Sequence, residues 1–349
     1  MTDATPTLPR RLSVLRRLGS EHRVWLASAL ILALLAVFDP AQAGESALFA
    51  GRALLGTAPY LILSIGIAAW AGATGADNLI ARAFTGAPLV MIVLGALAGG
   101  LSPFCSCGVI PLIAALLAMG VPLSAVMAFW LASPIMDPSM FVLTTGVLGL
   151  EFAVAKTLAA VGLGAFGGLV VHLLARGGGL ADPLREGVGN GGCGGARVRA
   201  PKPVVWRFWA EPARREKFAK VAGSTTLFLA KWLTLAFLIE SLMLAWIPAD
   251  AVASAIGGEG IGPIALATLV GVPAYLNGYA ALPLVGGLIG QGMAPGAGLA
   301  FLVAGGVTSV PAAMAVWALA RPRVFALYIV LSLTGSFTAG LLFQLWHLA

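Results

Sequence analysis

Two of the three cysteines, Cys105 and Cys107, stand one residue apart in LSPFCSCGVIPL, residues 101–112, within an apolar stretch. On a continuous α-helix, residues i and i+2 point about 200° apart, so these thiols could not face one ligand. Pro103 and Pro111 bracket the pair. Pro103 pushes Ser102 out of the α region and ends the preceding helix, whereas Pro111 suits the first turn of a new one. Residues 104–108 are therefore expected to be unwound, which lets both thiols and the Ser102 and Ser106 hydroxyls converge. Two thiolates at this spacing suit a soft centre such as Cu(I), Zn(II) or trivalent arsenic, and suit Mg or Ca poorly. The competing reading treats each cysteine as a small buried apolar side chain at a helix crossing.

Three more places interrupt the apolar runs. They are 133–138 (Ser133-Pro134, Asp137-Pro138), 271–283 (Pro273, Asn277-Gly278, Pro283) and 305–311 (Ser309, Pro311). Irregular backbone at membrane depth survives only where protein buries it or it lines a cavity. The breaks therefore define a candidate substrate site: Cys105, Cys107, Ser102, Ser106, Ser133, Asn277, Tyr279 and Ser309, with Cys105 and Cys107 as the metal ligands. Asp137 is the acidic residue at a break. It either exchanges a proton for coupling or caps the helix that resumes at Pro138. Glu240 is the second coupling candidate. Lys231, nine residues before it, faces the opposite side of one straight helix and cannot pair with it. Lys156 and Lys231 are expected to snorkel toward an interface, and His172 and His347 sit near run ends.

These residues need elements to hold them. The chain is 59% apolar and 10% charged, with mean hydropathy +0.96. That composition excludes a soluble domain and indicates an all-α, polytopic transmembrane helical bundle. After a first run at 24–38, apolar runs fall at 50–73, 87–102, 104–120, 122–150 and 152–175, and again at 224–247, 259–274, 276–291, 294–320 and 324–347. Adding 172 to the first set reproduces the second, and 102–142 shares 8 identities in 41 positions with 274–314. Asn277 and Tyr279 then stand where the first half has its cysteines.

Charge orients the two halves. The stretch 176–221 carries ten of the 21 Lys and Arg, and the N-terminus five. With Arg82, Arg321 and Arg323 these lie on one side if every run crosses once, which the positive-inside rule makes cytoplasmic. The repeats then run in opposite senses, an inverted topology with broken, discontinuous or re-entrant helices, as in transporters. The expected divisions are a basic N-terminus with a first helix at 1–49, repeat one at 50–175, a Gly-rich basic cytoplasmic linker at 176–221 and repeat two at 222–349. Arg10 to Arg23, the run at 24–38 and Ala41-Gln42-Ala43 read either as a retained first helix or as a cleaved signal peptide. Within the linker, 204–220 interleaves Trp206, Phe208 and Trp209 with basic residues, as a segment lying on a membrane surface does.

Several classes are absent. No phosphate-binding G-x-x-x-x-G-K-[ST] loop and no H-E-x-x-H occurs, so transport would draw on a gradient. Three cysteines make no disulfide framework. No cofactor and no nucleic-acid partner is expected; the expected partners are a small thiophilic substrate and the lipid bilayer, and a homo-oligomer is compatible with the chain.

SPFCSCGVIPL (102–112), followed by GVPLSAVMAFWLASPIMDPSM (120–140), resembles the predicted-permease family that includes the ArsP-type methylarsenite efflux permeases. The resemblance covers about residues 50–348. By it, Cys105, Cys107 and Pro111 match the family's cysteine motif, and Ser133-Pro134 its downstream Ser-Pro. It implies an inner-membrane efflux permease for trivalent organoarsenicals, or for copper or zinc as in a related branch, and no enzyme. Gly108-Val109 stands where the arsenical branch has two serines, and Asp137-Pro138 where it has Asn-Glu, which leaves the substrate open. A membrane dithiol oxidoreductase is the alternative from another class. Such enzymes need a second cysteine pair, and Cys193 alone supplies none. A permease for an ordinary solute, with incidental cysteines, is the third.

Overall fold

Acidic-Pro steps set several helix starts. In the computed structural model, Asp39 caps the helix that opens at Pro40, accepting from the Gln42 amide at 3.1 Å. Asp137 does the same for the helix that opens at Pro138. A proline at the first helical position loses nothing, because its missing N–H would have had no partner there. The structure describes residues 10–76, 87–102, 108–118, 120–175, 180, 183–185, 204–246, 260–274 and 278–348, with side chains omitted for 10–22, 274 and 278–280.

The helices are α1 (Arg10–Phe38), α2 (Pro40–Thr74), α3 (Pro88–Gly100), α4 (Ile110–Ala118), α5 (Leu123–Ala132), α6 (Pro138–Leu148) and α7 (Leu150–Ala175). After the linker come α8 (Pro212–Trp246), α9 (Ile261–Ala274), α10 (Gly278–Gly290), α11 (Pro295–Thr308), α12 (Val310–Leu319) and α13 (Pro322–Leu348). Among the described residues there is no strand beyond one isolated bridge, Leu184 to Ala320, so the all-helical expectation holds. Five stretches are long and apolar enough to cross a membrane: Pro40–Thr74, Leu150–Ala175, Pro212–Trp246, Pro295–Leu319 and Pro322–Leu348. The fourth counts as one span although Ser309 divides it into α11 and α12.

Two boundaries differ from the sequence reading. α2 begins ten residues before the expected 50, because the Asp39-Pro40 cap starts it inside the polar stretch that had been given to the N-terminal segment. α8 likewise begins at Pro212, within the expected linker.

Helix starts at 40, 123, 138 and 150 recur at 212, 295, 310 and 322, an offset of 172 each time. The packing recurs too. A Cβ added at Gly99 of α3 would lie 2.6 Å from the Phe129 carbonyl oxygen, and one at Gly271 of α9 would lie 2.8 Å from that of Phe301. On α7, Gly168 meets Ile92, Ser124 and Ala128; on α13, Gly340 meets Ile264, Gly296 and Ala300. Each contact maps onto its partner at the same offset. Within a membrane, small residues let backbones close on one another where no hydrophobic force draws them together. These contacts bury α5 between α3 and α7, and α11 between α9 and α13. The outer faces carry Leu55, Ile62, Leu158 and Leu342 exposed, as lipid contact allows.

Contacts fix the two ends of the α2–α8 pair. At one, Val205 N–H donates to Thr74 O at 2.9 Å and Arg214 Nη1 to Ala73 O at 2.8 Å, with Trp70 and Trp206 5.7 Å apart. Lys217 donates to the neighbouring Gly72 carbonyl. Linker residues 183–185 are pinned to the α12–α13 turn by Arg185 N–H to Leu319 O and Arg321 N–H to Pro183 O, at 3.0 and 2.9 Å. The Arg185 guanidinium stacks 4.3 Å over Trp317. At the far end of the same α2–α8 pair, Ser241 donates to Ser46 at 2.9 Å. α2 and α8 are therefore antiparallel.

The glycine seats predict a sharp contrast along one helix. Gly168→Val should lower the thermal midpoint of purified protein, as overpacking costs roughly 1–3 kcal/mol. Gly162→Val, on the same helix with nothing within 4 Å, should leave the midpoint within about a degree of wild type, since a substitution in open space falls inside the neutral range.

Candidate functional site

Local sequence folds each break differently. α3 ends at Gly100, and the Ser102 amide turns back to the Gly99 carbonyl at 3.0 Å. α5 ends at Ala132; Ser133 closes its last turn on Phe129 at 3.0 Å and Ile135 reaches Ala132 at 3.3 Å. The two breaks meet: Ser102 Oγ and Ser133 Oγ share a hydrogen bond of 3.0 Å, and both serines are buried. The first two interrupted stretches, 31 residues apart in the chain, thus form one polar contact in an apolar interior.

A second contact adds the break of the other half. The ring of Trp130, three residues before Ser133, lies 5.3 Å from that of Tyr328. The Tyr328 hydroxyl donates to Val307 O at 2.7 Å, at the C-terminal end of α11. Ser309 follows, buried, as the residue that starts α12, with no capping bond from its side chain. Pro311 occupies the first turn of α12, and Pro111 that of α4. Pro134 sits in the turn after α5, and Pro138 opens α6.

The Asp137 carboxylate accepts from the Met140 amide at 2.9 Å, so its capping role is realised. Glu240 is buried on α8, beside the Ser241–Ser46 contact that Gln42 extends at 3.0 Å. Lys231 is half-buried, its ammonium 5.6 Å from the Phe228 ring centre. His347 and Trp346 meet Glu151 at an exposed end, at 3.8 and 3.0 Å, and His172 is half-buried in the last turn of α7.

Two expectations are corrected. Pro283 does not mark a break: α10 already begins at Gly278, and Pro283 lies inside it. Pro273 lies in the last turn of α9, which ends at Ala274. Lys156 does not snorkel. It is 0% exposed, because α7 turns this position inward against its neighbours, and among the described residues its Nζ has no hydrogen-bond partner. Pro103, Cys105, Ser106, Cys107 and Asn277 lie outside the described residues, as does the side chain of Tyr279. Among the described residues no group of three or more His, Cys, Asp or Glu is placed to hold a metal ion.

Tyr328 was missed by the sequence reading, although a signal existed. Tyr328 is Lys156 plus 172, so both halves place a polar side chain at one register of an apolar run.

Comparison with known proteins places this architecture. Residues 43–345 match the family described as "Predicted permease", ArsP_1. The UPF0718 protein YcgR of Bacillus subtilis (strain 168) is 33% identical over 101 residues, 29% of this chain and 34% of that protein. The chain's match thus spans about a third of that relative's length. No solved structure matches the chain. With five helices long and apolar enough to cross a membrane and the family matched across nearly all of the helical region, the chain belongs to the ArsP_1 predicted-permease family.

Proposed function

We propose that this permease exports a thiophilic metal or metalloid species, such as a trivalent organoarsenical, from a site built at its helix breaks. Cys105 and Cys107 are the soft ligands, flanked by Ser102, Ser106 and Ser133 of the first half and by Asn277, Tyr279 and Ser309 of the second. The observation that carries the reading is the Ser102–Ser133 contact. It draws the residue preceding the cysteine motif onto the Ser-Pro break, so that two polar interruptions of an apolar interior share one place. A transporter needs such a place, and a lipid-facing helix has no use for one. Two thiols then select for softness, and copper or zinc remains the alternative cargo.

The scaffold in this reading is a pair of inverted repeats. The antiparallel run of α2 and α8, whose starts differ by the repeat offset, supports the inversion. The basic linker, 183–185 and 204–214 included, lies on the cytoplasmic face of the inner membrane, as its Lys and Arg content favours. Asp137 and Glu240 are the candidates for gradient coupling, as the ionisable carboxylates within the membrane runs.

Three measurements follow. Cys105→Ser and Cys107→Ser should each reduce export into everted vesicles roughly tenfold or more, in line with the loss of metal-site partners. Cys193→Ser should be silent, and an unaffected Cys105/Cys107 double variant would overturn the thiol site. Impermeant thiol labelling of single cysteines placed at 48, 190 and 254 should mark 190 from the side opposite to 48 and 254. Labelling of 190 and 254 from one side would refute the inversion. Asp137→Asn caps about as well as aspartate but cannot titrate. It should abolish the pH dependence of export while leaving the thermal midpoint in place, and retained pH-dependent export would move the coupling role to Glu240.

A further inference from the structure

Of the described residues, four buried side chains leave a polar atom without a partner, and two of them, Thr144 and Lys156, belong to the α6–α7 hairpin. Two of the four are charged, and Lys156, unlike Arg185, makes no side-chain hydrogen bond among the described residues. It is fully enclosed, and the charge that acts on it is that of Asp137, at the N-terminus of α6. The helices packed on α7 supply no other compensation there. α3, α5 and α11 carry no ionisable side chain, α6 carries none beyond its cap Asp137, and α13 carries only Arg323, Tyr328 and His347. Asp137 already spends one oxygen on the Met140 amide.

The other half shows what a closed version looks like. At the equivalent register, Tyr328 presents a neutral hydroxyl that is satisfied by one carbonyl, Val307, at the end of α11. The first half puts a cation with three donors in that place and gives it no acceptor. A buried amine with no acceptor among the described residues lacks hydrogen bonds that burial makes costly to lose, and an oxygen brought by a ligand would supply one.

We propose that Lys156 is a ligand-binding residue at the α5–α6 break, donating to an oxygen carried by the transported species, either an oxyanion or a hydroxylated metalloid. The inference rests on the export reading and narrows its substrate class. An ammonium held in a low-dielectric interior repels a bare metal cation, so free copper or zinc ions are poor cargo, whereas a species that carries hydroxyl or oxide oxygens can accept from it.

The test uses the full chain in lipid nanodiscs and reads the rise in Tm caused by methylarsenite, arsenite, thiosulfate, sulfate and ZnCl2. Wild type is compared with Lys156→Met, Lys156→Arg and the Cys105→Ser/Cys107→Ser double variant. At least one oxygen-bearing probe should stabilise wild type and Lys156→Arg, and should bind Lys156→Met about tenfold more weakly or worse, the loss expected for one charge-assisted hydrogen bond. The zinc response should not weaken in Lys156→Met. Should that variant fail to insert, Lys156→Leu, which likewise removes the donor, carries the same comparison. Equal binding by wild type and Lys156→Met overturns the proposal, as does the failure of every oxygen-bearing probe to stabilise wild type, or an equal weakening of zinc. Loss in the cysteine variant alone sustains the export reading against this inference. Loss in the lysine variant alone sustains the inference against the thiol site.

Discussion

A helix that ends inside a bilayer leaves up to four amides or four carbonyls without partners, and no water is at hand to take them. That requirement governs the centre of this molecule. α5 has 10 residues and α6 has 11, about 15–17 Å each at 1.5 Å per residue, against about 30 Å of hydrocarbon. Neither can cross alone. At their junction Asp137 takes an amide of α6 and Ser133 meets Ser102, and Tyr328 takes a carbonyl at the end of α11. The close glycine packing brings the neighbouring helices onto the backbones of α5 and α11.

Such satisfaction is purchased from local chemistry that was visible in the chain. Asp137-Pro138 and Pro111 announce helix starts whatever surrounds them, because the cap and the missing N–H act within one turn. The 172-residue offset was visible for the same reason, since run lengths and break positions are properties of sequence order. The start of α2 at Pro40 was misplaced because hydropathy was weighed above the Asp39-Pro40 signal, and an apolar window says little about where a helix enters the interface.

The site was legible only in part. That Ser102 and Ser133 meet depends on how α3 and α5 cross, and their crossing is set by Gly95 and Gly99 against the backbone of α5. No one-dimensional pattern states which glycines will seat against which carbonyls. Lys156 was misread for a related reason. A lysine six residues from a helix start can reach an interface by its own length, and only the packing of α7 reveals that it turns inward. Pro283 shows the converse, a local break signal past which α10 continues to Gly290.

The glycine seats also bear on how the molecule can move. A side chain resting on a side chain can change rotamer and let two helices slide by a fraction of a turn. A helix whose Cα atoms press against the carbonyls of its neighbour has no such slack, so shear between α3, α5 and α7, or between α9, α11 and α13, would drive backbone into backbone. Each triplet behaves as a solid piece. Any displacement is left to contacts between the triplets that rest on side chains, such as Trp130 on Tyr328.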